Sequence, residues 1–544
     1  MIQTVHLPKA PPAPPLRLRV RIGITGHREL SDPDAVVASA NAVLGRLRDD
    51  FGALLGSDVV YTVVSSLAEG ADRLLASAAL DEFGPDGVTL ESILPMAASE
   101  YAGDFDSAAS QDAFAELLAS ADRVTVVSET EDRDHAYELA GRHVVDTCDI
   151  LIAAWDGEQA RGRGGTGEIV SYARRHGVPV CVAWPGEPPA GLEADPGGAA
   201  RVASLREAAK RFAEYNEVDL RSSGGVSAVL NAERDRYAEA VGDTELHWQC
   251  ELVGDWAFPH VVRADELALS YQRRYNRLGE TLFGAAALAV TAVTLQYVIN
   301  SDGVIGTWIE VALMLLLLVG FAFGRRARVH DRWLGYRSLA EALRGAQYIA
   351  LTGVRDPDLA DVGLDAGPSR TAWFQRAFSE VWRERPQLDY KEAEAPELGR
   401  VLADAWITPQ IEYHRRAVQR FALGHRRLTW AVFVLFAVTF LIAIIHGRHI
   451  VEDDPFPRIF FFLAVTLPSF GAALTGVRDQ RQFRLHEDRS RRTADRLLQL
   501  RRRMAAETSL PAVQRLAAEV QGVMTEENLD WSGVVEFQDL EMIL

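Results

Sequence analysis

Four long apolar runs constrain this chain more than any other feature. They occupy 282–299 (LFGAAALAVTAVTLQYVI), 304–323 (VIGTWIEVALMLLLLVGFAF), 428–445 (LTWAVFVLFAVTFLIAII) and 459–477 (IFFFLAVTLPSFGAALTGV). Each is close to the roughly 20 residues a helix needs to cross a bilayer core. A buried helix of a soluble protein seldom stays apolar on every face for so long, so the runs read as transmembrane helices. Arg273, Arg274 and Arg277 precede the first run, and Arg325, Arg326 and Arg328 follow the second. His425, Arg426 and Arg427 precede the third, while Arg478, Arg481 and Arg484 follow the fourth. By the positive-inside rule the spans form two hairpins with both termini on the cytoplasmic side.

The hairpins read as a duplication. YQRRYNRL (271–278) precedes the first and YHRRAVQR (413–420) the second, with HDRWLGYRSLAEALR (330–344) and HEDRSRRTADRLLQLR (486–501) following them. The boundaries expected are a first hairpin with flanking helices at 263–360, a linker at 361–400, a second hairpin at 401–510 and a cytoplasmic tail at 511–544. Inside the runs, Gln296 and Glu310 are the costly polar residues and functional candidates on that ground. Glu310 has a second reading, because it lies only about 9 Å of helix from the start of its run and so reaches the outer headgroups. Pro468 is expected to kink the fourth span.

The front of the chain is a different kind of protein. Residues 1–262 carry 22 Lys+Arg against 42 Asp+Glu, whereas residues 263–544 carry 35 against 34. An acidic body of that balance is unsuited to non-specific nucleic-acid binding. The three cysteines, Cys148, Cys181 and Cys250, form no CxxC pair, and His143 with Cys148 lacks the partners of a zinc site, so no metal is expected. They read as buried, inert thiols of a reducing compartment. Residues 1–17, with a Pro-rich run at 11–15, have no apolar h-region and read as a flexible tail.

From residue 18 strand-like runs alternate with helix-like ones: 18–25, 58–65, 88–94, 122–128, 149–155 and 178–184 are rich in Val, Ile and Leu. The alternation predicts a doubly wound α/β domain with a parallel sheet over 18–185, followed by an all-α membrane domain of four spans. Segment 186–262 holds a Pro/Gly linker (186–198) and two helical patterns, which either cover a ligand or couple the front domain to the membrane. Ligands of such sheets sit beyond the carboxyl ends of the strands. The first strand ends in Thr25, Gly26, His27 and Arg28; the second in a loop carrying Ser65, Ser66, Glu69 and Asp72. After the fifth come Asp156, Arg161 and Arg163 and then GRGGTGEIV (162–170), where Gly164, Gly165, Thr166, Gly167 and Glu168 open a helix. Amides at a helix N-terminus and a neighbouring arginine make a phosphate-and-ribose cradle. Each residue also has a plainer use: Thr166 and Glu168 as helix caps, Asp72 with Arg73 as a surface pair, His27 as a turn residue.

Five motifs in order, TGHR (25–28), SSLAEGADRL (65–74), LPMAASEYAGDF (94–105), CDILIAAWDG (148–157) and GGTGEIV (164–170), together resemble the SLOG superfamily, the Rossmann-like relatives of LOG and DprA proteins. The membrane part is similar to SLATT-type two-span effector domains, through its span pairs and flanking helices, including AWITPQIEYHRR (405–416) and the tail with ENLDWSG (527–533). The resemblance implies a bacterial inner-membrane protein of antiviral defence. Its cytoplasmic domain would sense a nucleotide-derived second messenger, need no resident cofactor, and drive copies of the membrane domain to assemble or open. It also places Thr25, Gly26, Arg28, Ser65, Glu69, Asp72, Gly164, Gly165, Thr166 and Glu168 on the ligand.

LOG-type enzymes cleave nucleotide N-glycosidic bonds with the glutamate of a PGGxGTxxE pattern. RGRGGTGEIV lacks the leading proline and sets Glu168 directly after the third glycine. A sensor also needs an output, which two membrane hairpins supply and a hydrolase of soluble nucleotides does not require. Glu168 is therefore expected to hold the ligand rather than break it. A membrane-tethered N-glycosidase and a nucleotide-regulated channel or transporter are the alternatives.

Overall fold

Six strands pair in parallel in the order β4-β3-β2-β1-β5-β6. They are β1 (Leu18–Gly26), β2 (Val59–Ser65), β3 (Val88–Leu94), β4 (Arg123–Val126), β5 (Ile150–Ala154) and β6 (Val180–Val182). The computed structural model describes residues 15–56, 58–127, 132–158, 163–185, 198–218, 224–299, 303–354, 372–448 and 456–536. All six expected strands form, the last three shorter than their apolar runs, and β4 carries exposed Val124 and Val126 at the sheet edge. The order reverses between β1 and β5, which are neighbours, so the crevice past their carboxyl ends is the topological switch point of the sheet.

The chain divides into two units, one comprising Pro14–Asp219 with Gly367–Arg383 and the other Met1–Ala13, Leu220–Ala366 and Glu384–Leu544. In the first, the sheet carries α1 (Pro33–Leu55), α2 (Ala71–Phe83), α3 (Ala98–Ala102), α4 (Ala108–Ala119), α5 (Arg133–Thr147), α6 (Thr166–Arg175) and α7 (Ala199–Asn216). The local causes are plain in α1. Asp32 accepts the Ala35 N–H at 3.0 Å, Pro33 opens the helix, and Val36, Ala40, Val43, Leu47 and Phe51 form one buried stripe. The three cysteines are buried and free, and burial pushes the thiols of Cys148 and Cys181 up to about 12 and that of Cys250 to about 11.

The second unit is helical: α8 (Gly224–Val241), α9 (His247–Ile299), α10 (Ile305–Ala327) and α11 (Val329–Leu351), then, after α12 (Ala372–Arg383) of the first unit, α13 (Ala395–Val401). A π-helical stretch (Leu402–Ile407) leads into α14 (Thr408–Gly447), followed by α15 (Phe456–Gln480), α16 (Phe483–Met504) and α17 (Leu510–Glu536). Among the described residues, four helices are long and apolar enough to cross a membrane. Their large side chains face outward, Leu315, Phe433 and Phe440 being 60–69% exposed, a surface that water would not tolerate. The two hairpins repeat one plan. An apolar return helix ends at a non-glycine residue in the left-handed region, Arg328 (φ 46°) or Gln482 (φ 45°). The next helix continues past that kink along the same partner, α11 after α10 on α9 and α16 after α15 on α14. Left-handed backbone costs about 1–2 kcal/mol without glycine, so both kinks are held by the packing around them.

The two intramembrane candidates have different environments. Gln296 staples the first hairpin: its Oε1 accepts from the backbone N–H of Gly306 and of Thr307 (3.2 Å), and its Nε2 donates to the Gly303 carbonyl. Glu310 is half-buried in the second turn of α10.

Residues 372–383, placed in a linker by sequence, join the α/β unit as α12. Trp373, Phe374, Ala377, Phe378, Val381 and Trp382 are buried on one face of it. Its polar positions meet charges standing on the sheet: Arg376 Nη2 lies 2.5 Å from Asp149, Glu380 3.3 Å from Arg19, and Arg383 3.9 Å from Glu91. Arg19 also donates to Thr62 and Thr89, both at 3.0 Å, and Arg21 pairs with Glu91 at 2.6 Å. The expected tail at 511–544 contains most of α17, which packs on α11 and α16. The expectations for residues 1–14 and 186–197 lie outside the described residues.

Candidate functional site

The turn after β1 is built by close backbone approach. A Cβ on Gly26 would lie 2.8 Å from the Ala154 Cβ and overlap that of Ala71, so no side chain fits between β5 and α2 here. His27 follows, its N–H donating to the Ala154 carbonyl (3.1 Å) and its carbonyl accepting from Ala71 N–H (3.1 Å). Its Nε2 lies 3.0 Å from Asp156 Oδ1 and its ring meets Trp184 edge-on at 5.6 Å. Asp156 is held below the usual carboxylate range by the Glu158 N–H and by His27. The loops after β1 and β5 are thus tied together across the switch point.

The β2–α2 loop is rigid rather than receptive. Ser65 is fully buried and its Oγ accepts the N–H of Leu67, a left-handed leucine (φ 52°) whose carbonyl accepts from Arg73 Nε at 2.9 Å. Gly70 (φ 89°) presses on Arg28, whose carbonyl oxygen a Cβ there would overlap. Asp72 and Arg73 are not a surface pair: both are buried. Arg73 stacks on Phe105 (4.1 Å) and donates to the Ser110 carbonyl and hydroxyl. The Asp72 carboxylate accepts from the backbone of Ala68 and Gly26, yet burial outweighs these bonds and the nearby Arg28 and Arg73 charges, pushing its pKa up to about 7. Ser66 and Glu69 are half-buried on the same loop, and Glu69 adds its charge near Arg73.

Arg28 is exposed and reaches over the Tyr137 ring of α5, 5.4 Å from its centroid. Tyr137 in turn donates to Asp104, which also accepts from Arg133 at 2.6 Å. Beneath them Tyr101 is completely buried, and its Oη meets no hydrogen-bond partner among the described residues.

The glycine loop comes to the same place from the other side. Gly164 (φ 77°) lies against α5, where a Cβ would be 2.8 Å from Glu138 N and 3.1 Å from the Tyr137 carbonyl carbon. Gly165, not Thr166, is the N-cap of α6; Thr166 is the first helical residue and, like Gly167, is buried. No side chain caps the helix; Glu168 instead ties down the loop before it, its Oε2 accepting the Gly164 N–H at 2.9 Å while Oε1 lies 3.8 Å from Arg142. Buried Glu138 pairs with Arg163 and Arg142, and the Arg163 hydrogen bond is the main reason its pKa is low.

The structure therefore brings Thr25–Arg28, Glu69–Asp72 and Gly164–Glu168 to one edge of the sheet, with Tyr137–Glu138 of α5 as their common neighbour. It spends Ser65, Thr166 and Gly167 on the scaffold. Compared with known protein families and with curated proteins, the chain matches none. What fold and site define is an α/β domain of Rossmann-like topology, joined to a helical unit with four span-length apolar helices.

Proposed function

We propose that the α/β unit is a sensor of a nucleotide-derived small molecule and that the helical unit, with its four span-length helices, is its membrane output. The observation that carries this reading is the pairing of cations and carboxylates at the switch point. Arg28 offers its guanidinium group to phosphate, with Arg142 and Arg163 adding positive charge beside it from their pairs with Glu138, while Glu69, Asp156 and Glu168 offer acceptors to sugar hydroxyls. Glu168 supports holding over breaking, because its carboxylate is committed to the loop's own Gly164 amide and to Arg142. In this reading the chain sits in a bacterial inner membrane, returns to the cytoplasm after its fourth span, and assembles with copies of itself when the messenger binds, as an antiviral effector of SLOG–SLATT type. Positively charged residues at the ends of both hairpins support that orientation.

The reading is tested with the full chain in dye-loaded vesicles. Adding a pool of mononucleotides, cyclic oligonucleotides and ADP-ribose derivatives should release dye, and Arg28→Ala should abolish release. Release that ignores both the pool and Arg28 would refute a ligand-gated output. Asp72, with a pKa of about 7, is the group on which the hydrolase alternative would rest.

A further inference from the structure

The geometry points to a binding site for the phosphodiester of an anionic membrane phospholipid at the junction of α14, α15 and α16. The inference rests on the reading of α14 and α15 as membrane spans, and concerns a different ligand from the one assigned to the α/β unit.

A cavity of about 440 Å³ opens where α15 ends and α16 begins. His425 and Thr429 line it from successive turns of one face of α14. Arg478 comes from the last turn of α15 and Arg484 from the first turn of α16, with Gln482, in its left-handed conformation, forming the corner between them. Both guanidinium groups are oriented through Nε: that of Arg478 pairs with Asp479 at 3.1 Å, and that of Arg484 donates to His425 Nε2 at 3.0 Å. Their Nη ends are thereby presented as a planar donor pair, the geometry that suits phosphate. Asp479 also lines the cavity and offsets one positive charge, leaving the pair at +1. Because His425 accepts from Arg484, the imidazole is neutral with its proton on Nδ1; burial and the two arginines keep its pKa low.

The position argues for a lipid rather than a free anion. Thr429 is followed directly by exposed Trp430, 56% accessible, and one turn further by Phe433, 61% accessible. An outward tryptophan at the end of an apolar helix marks the headgroup level of a bilayer. A lipid whose phosphate sat between Arg478 and Arg484 would lay its acyl chains along the apolar faces of α14 and α15. Such a site would brace the α15–α16 kink, whose non-glycine left-handed residue needs support from its surroundings.

The test uses the full chain in nanodiscs of phosphatidylcholine and phosphatidylglycerol, with native mass spectrometry counting the lipids retained after detergent stripping. The wild type should retain phosphatidylglycerol in preference to phosphatidylcholine. Arg478→Gln with Arg484→Gln should weaken that retention about 30-fold, at roughly fivefold per arginine. Thr429→Phe, which fills the cavity and leaves every charge in place, should weaken it comparably. Arg325→Gln with Arg326→Gln, removing the same charge from the end of α10, should leave it intact. Equal loss in the α10 variant would reduce the effect to diffuse surface charge and overturn the site. Displacement of the lipid by millimolar inorganic phosphate would also overturn it, in favour of a free-anion site. Failure of the chain to enter nanodiscs at all would instead refute the membrane reading.

Discussion

Replacing Asp72 with asparagine should change the pH dependence of stability of the α/β unit in a way that can be calculated. In the folded chain the carboxyl has a pKa of about 7 against an ordinary 3.8. Below about pH 4 it is protonated whether the chain is folded or not. Between pH 4 and 7 the unfolded chain gives up the proton and the folded chain keeps it, so stability falls as pH rises. Above about pH 7 both forms are ionised and the loss is complete, at about 4 kcal/mol for a shift of this size. About 2 kcal/mol of that loss falls between pH 5.5 and pH 8. The asparagine side chain has no proton to lose, and its oxygen still accepts one of the backbone bonds from Ala68 and Gly26. The lost second bond costs about 1 kcal/mol at every pH. Urea unfolding of the detergent-solubilised full chain, with the α/β unit followed by pulse proteolysis, should therefore show the wild type losing stability from pH 5.5 to 8 relative to D72N. Parallel curves for the two proteins would mean that Asp72 does not carry a raised pKa, and the account of a buried, protonatable carboxyl under Arg28 would be wrong.

Three further outcomes are expected. Gly70→Ala should destabilise the α/β unit by several kcal/mol, since its Cβ overlaps the Arg28 carbonyl at a φ of 89°; a thermal melt within one degree of wild type would contradict this. Arg376→Ala removes the ion-pair partner of Asp149, which is 5% exposed and also accepts the Arg21 backbone N–H, and should cost about 3 kcal/mol. It should be read as faster trypsin cleavage within 372–391, and unchanged cleavage would argue against the docking of α12. Gln296→Leu strips the staple from the start of α10 and should expose the loop near 300 to protease in proteoliposomes; protection equal to wild type would count against that role.

The spans were legible because each is a continuous apolar run of characteristic length, and the strands because short runs rich in Val, Ile and Leu alternate with helical patterns. The candidate loops were legible for a related reason: a parallel sheet puts every strand's carboxyl end on one edge. Sequence could not separate residues that face a ligand from those that hold the loop. Ser65 and Thr166 are the right residue types at plausible places, yet one fixes a left-handed leucine and the other is buried in the first helical turn. Tyr101 and Asp104 lay within a motif, LPMAASEYAGDF, whose members carried no separate assignment. Tyr137 and Glu138 had no signal, since their importance comes from α5 passing behind the glycine loop. The helical pattern of WFQRAFSEVW (373–382) is strong, but nothing local says that it covers a sheet begun some 350 residues earlier. Gln296 stood out only as a polar residue in an apolar run, and its purpose depends on where the loop returns.

The central claim is that the α/β unit holds a nucleotide-derived ligand without cleaving it. The most direct measurement incubates the detergent-solubilised full chain with the same nucleotide pool. Mass spectrometry then identifies both what co-elutes with the protein and what the pool has become. The account predicts one intact compound retained by the wild type, lost with Arg28→Ala, and an otherwise unaltered pool. Free base appearing together with ribose phosphate would contradict it, and would make the chain a membrane-tethered hydrolase.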